Sequence, residues 1–214
     1  MPINDFNDDC FVAFTDISGF KAMMKSKDEA AKAMNRFYSS GYDSIKQSNQ
    51  TINGIFISDC GIIFSTSGTK EEQLSNLLKV IQKINSQLID HNIMLTTSIC
   101  WGRFSYKNKI VFNGIEKQPV YGNAYLSAFL DNEMGTPKLE PGFCRVLKSG
   151  VEDLNISSLD QFSSIKETNK YYLYYWMCST QDTIKTFETE YKNAYNMKYS
   201  GMLSAIKNSN KTDK

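Results

Sequence analysis

The sequence predicts an α+β fold, a mostly antiparallel sheet with helices packed on one face, from three observations. Short β-rich runs alternate with longer amphipathic stretches. Two of the β-rich runs are joined as a hairpin with a polar tip. No repeat and no linker-like segment divides the 214 residues.

The elements follow in order. Residues 10–17, CFVAFTDI, are apolar and uncharged until their end, which is the pattern of a buried strand. SGF then turns into a short helix. Residues 28–48 place Ala30, Met34, Phe37, Tyr38 and Ile45 on one helical side. TINGIFI (51–57) and CGIIFST (60–66) are strands separated by Ser58 and Asp59, a hairpin signature. Residues 70–90 are a second amphipathic helix, with Leu74, Leu77, Leu78, Ile81, Ile84 and Leu88 at helical spacing. IMLTTSICW (93–101) is a strand, and another follows near 108–113. A third helix is expected at 121–132 and a strand at 142–147.

The remainder is harder to place. Residues 149–170 are polar and are expected to be a loop or weakly ordered edge. YYLYYWMC (171–178) is too aromatic for a linker and is expected to be a further strand. A final helix is expected over 181–206, and NSNKTDK is expected to fray. The organisation expected is a core at 1–148 with an extension, 149–214, packed on the same domain.

Composition excludes several classes of function. Hydrophobic residues make up 41% and charged residues 22%, the balance of a globular protein. A net charge of +1 gives no electrostatic case for nucleic acid or a membrane surface as partner. No apolar run approaches the roughly 20 residues that span a bilayer. The polar, acidic start MPINDFNDD is unlike a signal peptide, and a cytoplasmic location is expected. The five cysteines are odd in number and form no CxxC pair, so they are expected to be reduced, buried thiols rather than zinc ligands. His91 is the single histidine, and no nucleophile motif surrounds it. Arg36, Arg103 and Arg145 are the only arginines, which makes one inside a motif informative.

Two aspartates carry the chemistry. Asp16 ends the first strand and Asp59 lies at the hairpin tip, so each carboxylate is expected at the rim of one sheet. Carboxylates brought together repel unless a cation lies between them. Magnesium suits such a pair, because it takes hard oxygen ligands together with substrate phosphates. Two ions can bind both the attacking and the leaving oxygen of a phosphoryl displacement. An aspartate at a strand end can equally be a turn former or helix cap. The run Phe14-Thr15-Asp16-Ile17-Ser18-Gly19-Phe20 adds a turn whose consecutive N–H groups make an anion-binding concavity.

These residues resemble a known family. FTDISGF is similar to the first-strand motif of class III adenylyl and guanylyl cyclases, and FISDCGIIFS to their metal-binding hairpin. Ile99-Cys100-Trp101-Gly102-Arg103 resembles a later strand ending in Gly, after which some members carry a phosphate-contacting arginine. Val120-Tyr121-Gly122-Asn123-Ala124 with Ala128 resembles the entry to the last core helix. The likeness covers about residues 10–147.

The resemblance implies a ferredoxin-like class III cyclase fold and two Mg²⁺ or Mn²⁺ ions per site. Asp16, Asp59 and the Ile17 carbonyl would hold the metals. Ser18, Gly19 and Phe20, with Arg103, would hold the phosphates of a nucleoside triphosphate. The site would lie between two chains of a head-to-tail homodimer.

The departures from the family pattern are specific. Ile55 stands where family members carry the lysine or glutamate that reads a purine, on one strand face with Asn53 and Ile57. Pro119 stands where adenylyl cyclases have an acidic residue or threonine. Leu126 and Leu130 occupy the positions of a transition-state Asn/Arg pair. Intact metal aspartates with an altered base pocket resemble the pyrimidine cyclases of the bacterial Pycsar antiphage system. That implies cyclic UMP, or less readily cyclic CMP, as a signal to a separately encoded effector. An atypical adenylyl cyclase, an inactive nucleotide-binding pseudo-cyclase and a ferredoxin-like regulatory module remain the alternatives.

Overall fold

A computed structural model describes residues 3–212 except 49, 109, 113, 118, 195 and 196. The elements are β1 (Phe6–Ile17), α1 (Phe20–Met23), α2 (Lys27–Lys46), β2 (Ile52–Ile57), β3 (Cys60–Ser65), α3 (Lys70–Ile89) and β4 (Leu95–Tyr106). They continue with β5 (Ile110–Phe112), β6 (Ile115–Lys117), β7 (Val120–Tyr121), α4 (Asn123–Met134), β8 (Cys144–Leu147), β9 (Ile165–Glu167), β10 (Tyr171–Tyr174), α5 (Gln181–Ala194) and α6 (Lys198–Thr212).

The main sheet runs β2-β3-β1-β4-β8-β10-β9, with β7 added to β4. Every pairing is antiparallel except β4 with β8. The long β1–β4 ladder, from Phe6↔Tyr106 to Ile17↔Leu95, is its axis. This is the α+β architecture expected, with the β2–β3 hairpin closed by Ser58 and Asp59.

Alternation along β1 divides the core. Phe11, Ala13 and Ile17 join α2, α3, α5 and α6 in one apolar cluster. Cys10, Val12 and Phe14 join Ala124 and Ala128 of α4 in the other. Helices therefore cover both faces, not one. Small Ala124 and Ala128, both fully buried, let α4 lie close on the strands.

Helix starts are set by local chemistry. The Ser26 side chain accepts from Glu29 N–H at the start of α2. Thr69 and Glu72 form a reciprocal capping box on α3, a device that contributes about 1 kcal/mol. α4 starts after Gly122, whose φ of +135° and position fit no other residue. An added Cβ would lie 2.1 Å from the Arg103 carbonyl oxygen. Gly122→Ala is expected to cost about 1–3 kcal/mol, read as a lower denaturant midpoint with unchanged slope.

The strand expected near 108–113 is β5, which pairs with β6 in a separate hairpin. The polar stretch 149–170 is, as expected, largely loop with an edge strand, β9, but it also contributes Val151, Leu154, Leu159 and Ile165 to the core. Its serines and aspartates mask apolar residues spaced irregularly around two 3₁₀ turns. The final helix is two helices, α5 and α6. The segment expected to fray is helical through Thr212, and 213–214 lie outside the described residues.

Of the YYLYYWMC run, only Tyr171–Tyr174 is a strand. The Trp176 indole turns inward and donates to the Gly142 carbonyl at 2.7 Å. All five cysteines are free, and four are buried. No described helix is long and apolar enough to cross a membrane.

Candidate active site

Asp16 is the penultimate residue of β1, level with Cys60 on β3 and Thr96 on β4. Its carboxylate emerges where the strands end. Asp59 is brought there by the hairpin turn, in which Ser58 takes a φ of 55°. Ile17 N–H donates to the Asp59 carbonyl at 3.0 Å. From the other side, the Tyr38 hydroxyl on α2 donates to the Ser58 carbonyl at 2.9 Å. The turn is therefore pinned to both sheet and helix.

The two carboxylates converge. Oxygens of Asp16 and Asp59 and the Cys60 sulfur all lie within 4.8 Å of one another. The Cys60 thiol donates to Asp16 Oδ1 at 3.2 Å and lies 4.0 Å from Asp59 Oδ1. Burial, then the Asp16 hydrogen bond and the neighbouring negative charges, push the Cys60 thiol well up, so it is a neutral donor. The hard oxygens of this set fit magnesium or manganese, and Asp16 and Asp59 are the side chains that could hold such an ion.

Burial raises the Asp16 carboxyl from 3.8 to about 6. Cys60 opposes the rise, the charges of Asp59 and Glu133 add to it, and Ile17 N–H opposes it. A carboxyl raised in the fold binds its proton more tightly there than in the unfolded chain. Its stabilising contribution is full below about pH 4 and is lost as the pH rises through about 6. Thermal melts in EDTA are expected to show stability falling across that window. Asp16→Asn should flatten the slope, and Mn²⁺ should offset the loss on the alkaline side.

The phosphate turn is narrower than the sequence suggests. Ile17 N–H is taken by Asp59, and Ser18 N–H donates to the Met94 carbonyl at 2.9 Å. Only the amides of Gly19 and Phe20 remain of the four-residue concavity. Gly19 is left-handed at φ +79°, and the Phe20 ring is buried in the core. Tyr199 of α6 backs this turn. Its Cε2 lies 3.8 Å from where a Gly19 Cβ would be, and its hydroxyl donates to the Asn92 carbonyl at 3.1 Å.

A cavity of about 290 Å³ opens beside Asp16, and Ser18, Gly19, Asn132, Glu133, Lys138 and Glu140 are among the residues that line it. Asn132 is held there by bonds from Thr96 Oγ1 and to the Phe14 carbonyl. Sequence reasoning missed Cys60, Asn132, Glu133 and Lys138. Cys60 was signalled by its place next to Asp59. The others reach the site through α4 and the loop after it, which no local pattern announces.

One expected contributor lies elsewhere in this chain. Arg103 pairs in register with Asp9, seven residues along β1 from Asp16, or roughly 24 Å at strand rise. It is half-exposed beside Asp8, at 3.7 Å. Pro119 precedes β7, which pairs with Ser105 and Tyr106 at that same far end. Ile55, 7% exposed, sits level with Phe14 through Ile62, with half-buried Asn53 on its strand face. The structure thus brings together Asp16, Ile17, Ser18, Gly19, Phe20 and Asp59 and separates Arg103 from them, while Asn53, Ile55 and Pro119 are the residues expected to come from a partner chain. Leu126 and Leu130 are 53% and 38% exposed on α4.

No protein-family model and no curated protein matches the sequence. Solved structures do match. The guanylyl cyclase Cya2 superposes with a TM-score of 0.58 at 11% identity, covering 80% of this chain and 93% of that one. The adenylyl cyclase CyaB from P. aeruginosa gives 0.53 at 14%, covering 80% and 95%. The monomeric guanylyl cyclase domain of the RhoGC fusion protein from the aquatic fungus Blastocladiella emersonii gives 0.58 at 12%, covering 80% and 98%. At these identities the likeness is one of fold, and the fold of this chain is that of the class III nucleotidyl cyclase domains.

Proposed function

We propose that the protein is a nucleotidyl cyclase that converts a nucleoside triphosphate to a 3′,5′-cyclic monophosphate and pyrophosphate. The observation that carries this reading is the meeting of the Asp16 and Asp59 oxygens beside a cavity at the rim of a cyclase-type sheet. In the reaction, the substrate 3′-oxygen bonds to the α-phosphorus, the bond to the β-phosphate oxygen breaks, and the hydroxyl proton leaves.

Asp16 and Asp59, with the Ile17 carbonyl, would hold two Mg²⁺ or Mn²⁺ ions. When bound, such ions neutralise charge at the attacking and leaving oxygens. Gly19 and Phe20 amides orient the phosphates. The protein's task is positioning rather than covalent chemistry.

The substrate base proposed is a pyrimidine, uracil before cytosine. Support comes from Ile55, which places an apolar side chain where family members read a purine edge. A purine would leave its polar groups unpaired against it, a loss that discriminates strongly. Asn53 and Ile55 would face the base from a second copy of the chain in a head-to-tail homodimer. Leu126, Leu130 and Met134 recur every four residues as an exposed stripe on α4, the kind of surface a partner covers. By resemblance, the cyclic product would signal to a separately encoded effector in antiphage defence.

The exposed leucines also favour a second reading. A helix face without polar groups offers nothing to a transition state, as in a pseudo-cyclase that binds without turnover. Purified protein incubated with Mn²⁺ or Mg²⁺ and each of ATP, GTP, CTP and UTP, with products identified by mass spectrometry, separates the readings. Cyclic UMP is expected. Cyclic AMP alone would overturn the pyrimidine assignment, and triphosphate binding without product from any of the four would select the pseudo-cyclase.

A further inference from the structure

We propose that Lys138 and the Ser18 hydroxyl hold the terminal phosphates of the substrate, from the same chain that carries Asp16 and Asp59. The inference rests on the triphosphate-binding reading above and names contacts that Arg103, at the far end of β4, does not supply.

Three observations converge on it. First, Ser18 is 6% exposed, and its hydroxyl has no hydrogen-bond partner among the described residues. A buried hydroxyl without a partner is costly and rare, and it marks a place where a ligand atom completes the bonding. Second, Ser18 lines the cavity beside Asp16, and Lys138 is the single cation among the residues that line it. Glu133 and Glu140 also line it, so the cavity repels a bare phosphate. It suits one that arrives with divalent ions and leaves its outer oxygens for an ammonium group.

Third, the loop presenting Lys138 is fastened on both sides. Arg145 Nη1 donates to the Pro137 carbonyl at 2.8 Å, and Leu139 is 4% exposed. Gly142 N–H donates to the Leu95 carbonyl at 2.8 Å, tying the loop to the start of β4. Lys138 itself is exposed between these anchors. The lysine is therefore delivered from a fixed backbone, which lowers the ordering cost of contact.

The test uses inorganic tripolyphosphate as a probe that carries no base. Its affinity is measured by calorimetry at saturating Mn²⁺ for the wild type, Lys138→Ala, Lys138→Arg, Ser18→Ala and a surface control, Lys192→Ala. Lys138→Ala should weaken binding roughly 10-fold or more, as for loss of a charge-assisted bond. Lys138→Arg should restore most of it, Ser18→Ala should weaken it several-fold, and Lys192→Ala should change nothing. With the nucleotide found to react, Lys138→Ala should raise KM more than it lowers kcat.

Equal affinity in the wild type and Lys138→Ala, with both folded, overturns the assignment and leaves the cyclase reading standing. The expected pattern in a protein that makes no cyclic product supports the phosphate site and overturns the cyclase reading instead.

Discussion

Asp16→Ala and Asp59→Ala should each lower cyclic nucleotide formation by about 10³-fold or more while the protein stays folded. The size follows from the several kcal/mol of charge stabilisation that a divalent ion supplies to a phosphoryl displacement, at one tenfold step per 1.4 kcal/mol. Both carboxylates serve one cluster, so the double variant should be little worse than either single one. Asp16→Asn separates charge from shape. It keeps an oxygen at the β1 rim but removes the negative charge, and should fail almost as completely. Product quantified by mass spectrometry, beside Mn²⁺ binding by calorimetry, gives both halves of the result. Turnover surviving in Asp16→Ala would end the metal assignment.

The second large effect concerns stability. Arg145 on β8 is 2% exposed, and its guanidinium meets Asp131 of α4 with Nε at 2.6 Å from Oδ2 and Nη2 at 2.8 Å from Oδ1. Nη2 also donates to the Asp131 carbonyl and Nη1 to the Pro137 carbonyl. Tyr171 on β10 lies under the guanidinium, 5.1 Å from ring centre to its carbon. One side chain thus joins α4, the loop after it and two strands.

Arg145→Ala should destabilise by about 3–5 kcal/mol, because it leaves the Asp131 charge in a partly buried place without its partner. Arg145→Met combined with Asp131→Leu should cost less than the single change, since no lone charge remains. Urea denaturation of Arg145→Met, Asp131→Leu and the double variant, beside Arg145→Ala, tests this, and an additive double variant would refute the coupling.

Much of the central sheet was legible in the sequence, for identifiable reasons. The apolar runs ending in Asp16 and flanking Asp59 are strands whose neighbours lie close in the chain, so pattern and turn chemistry suffice. The leucine spacing over 70–90 made α3 equally plain. The carboxylate pair was legible because each member sits beside such a run.

What was not legible depends on contacts distant in sequence. Lys138 acquires meaning only through the fold that brings its loop to the same cavity as Ser18. The strand address of Arg103 was readable, but its height above Asp16 required the β1–β4 register. The core contribution of 149–170 was not legible because its buried residues follow no period of two or 3.6. Helix α4 was assigned to the common face because a short helix with two buried alanines carries a weak directional signal.

Tyr199 leaning on the Gly19 turn ties almost the first structured segment of the chain to almost the last. Closing so long a loop is entropically slow compared with forming the neighbouring hairpin. During synthesis, β1 and the aspartate hairpin would leave the ribosome well before the helix that walls the turn. The site would therefore be shaped late, as a product of completed folding rather than of its own local strands.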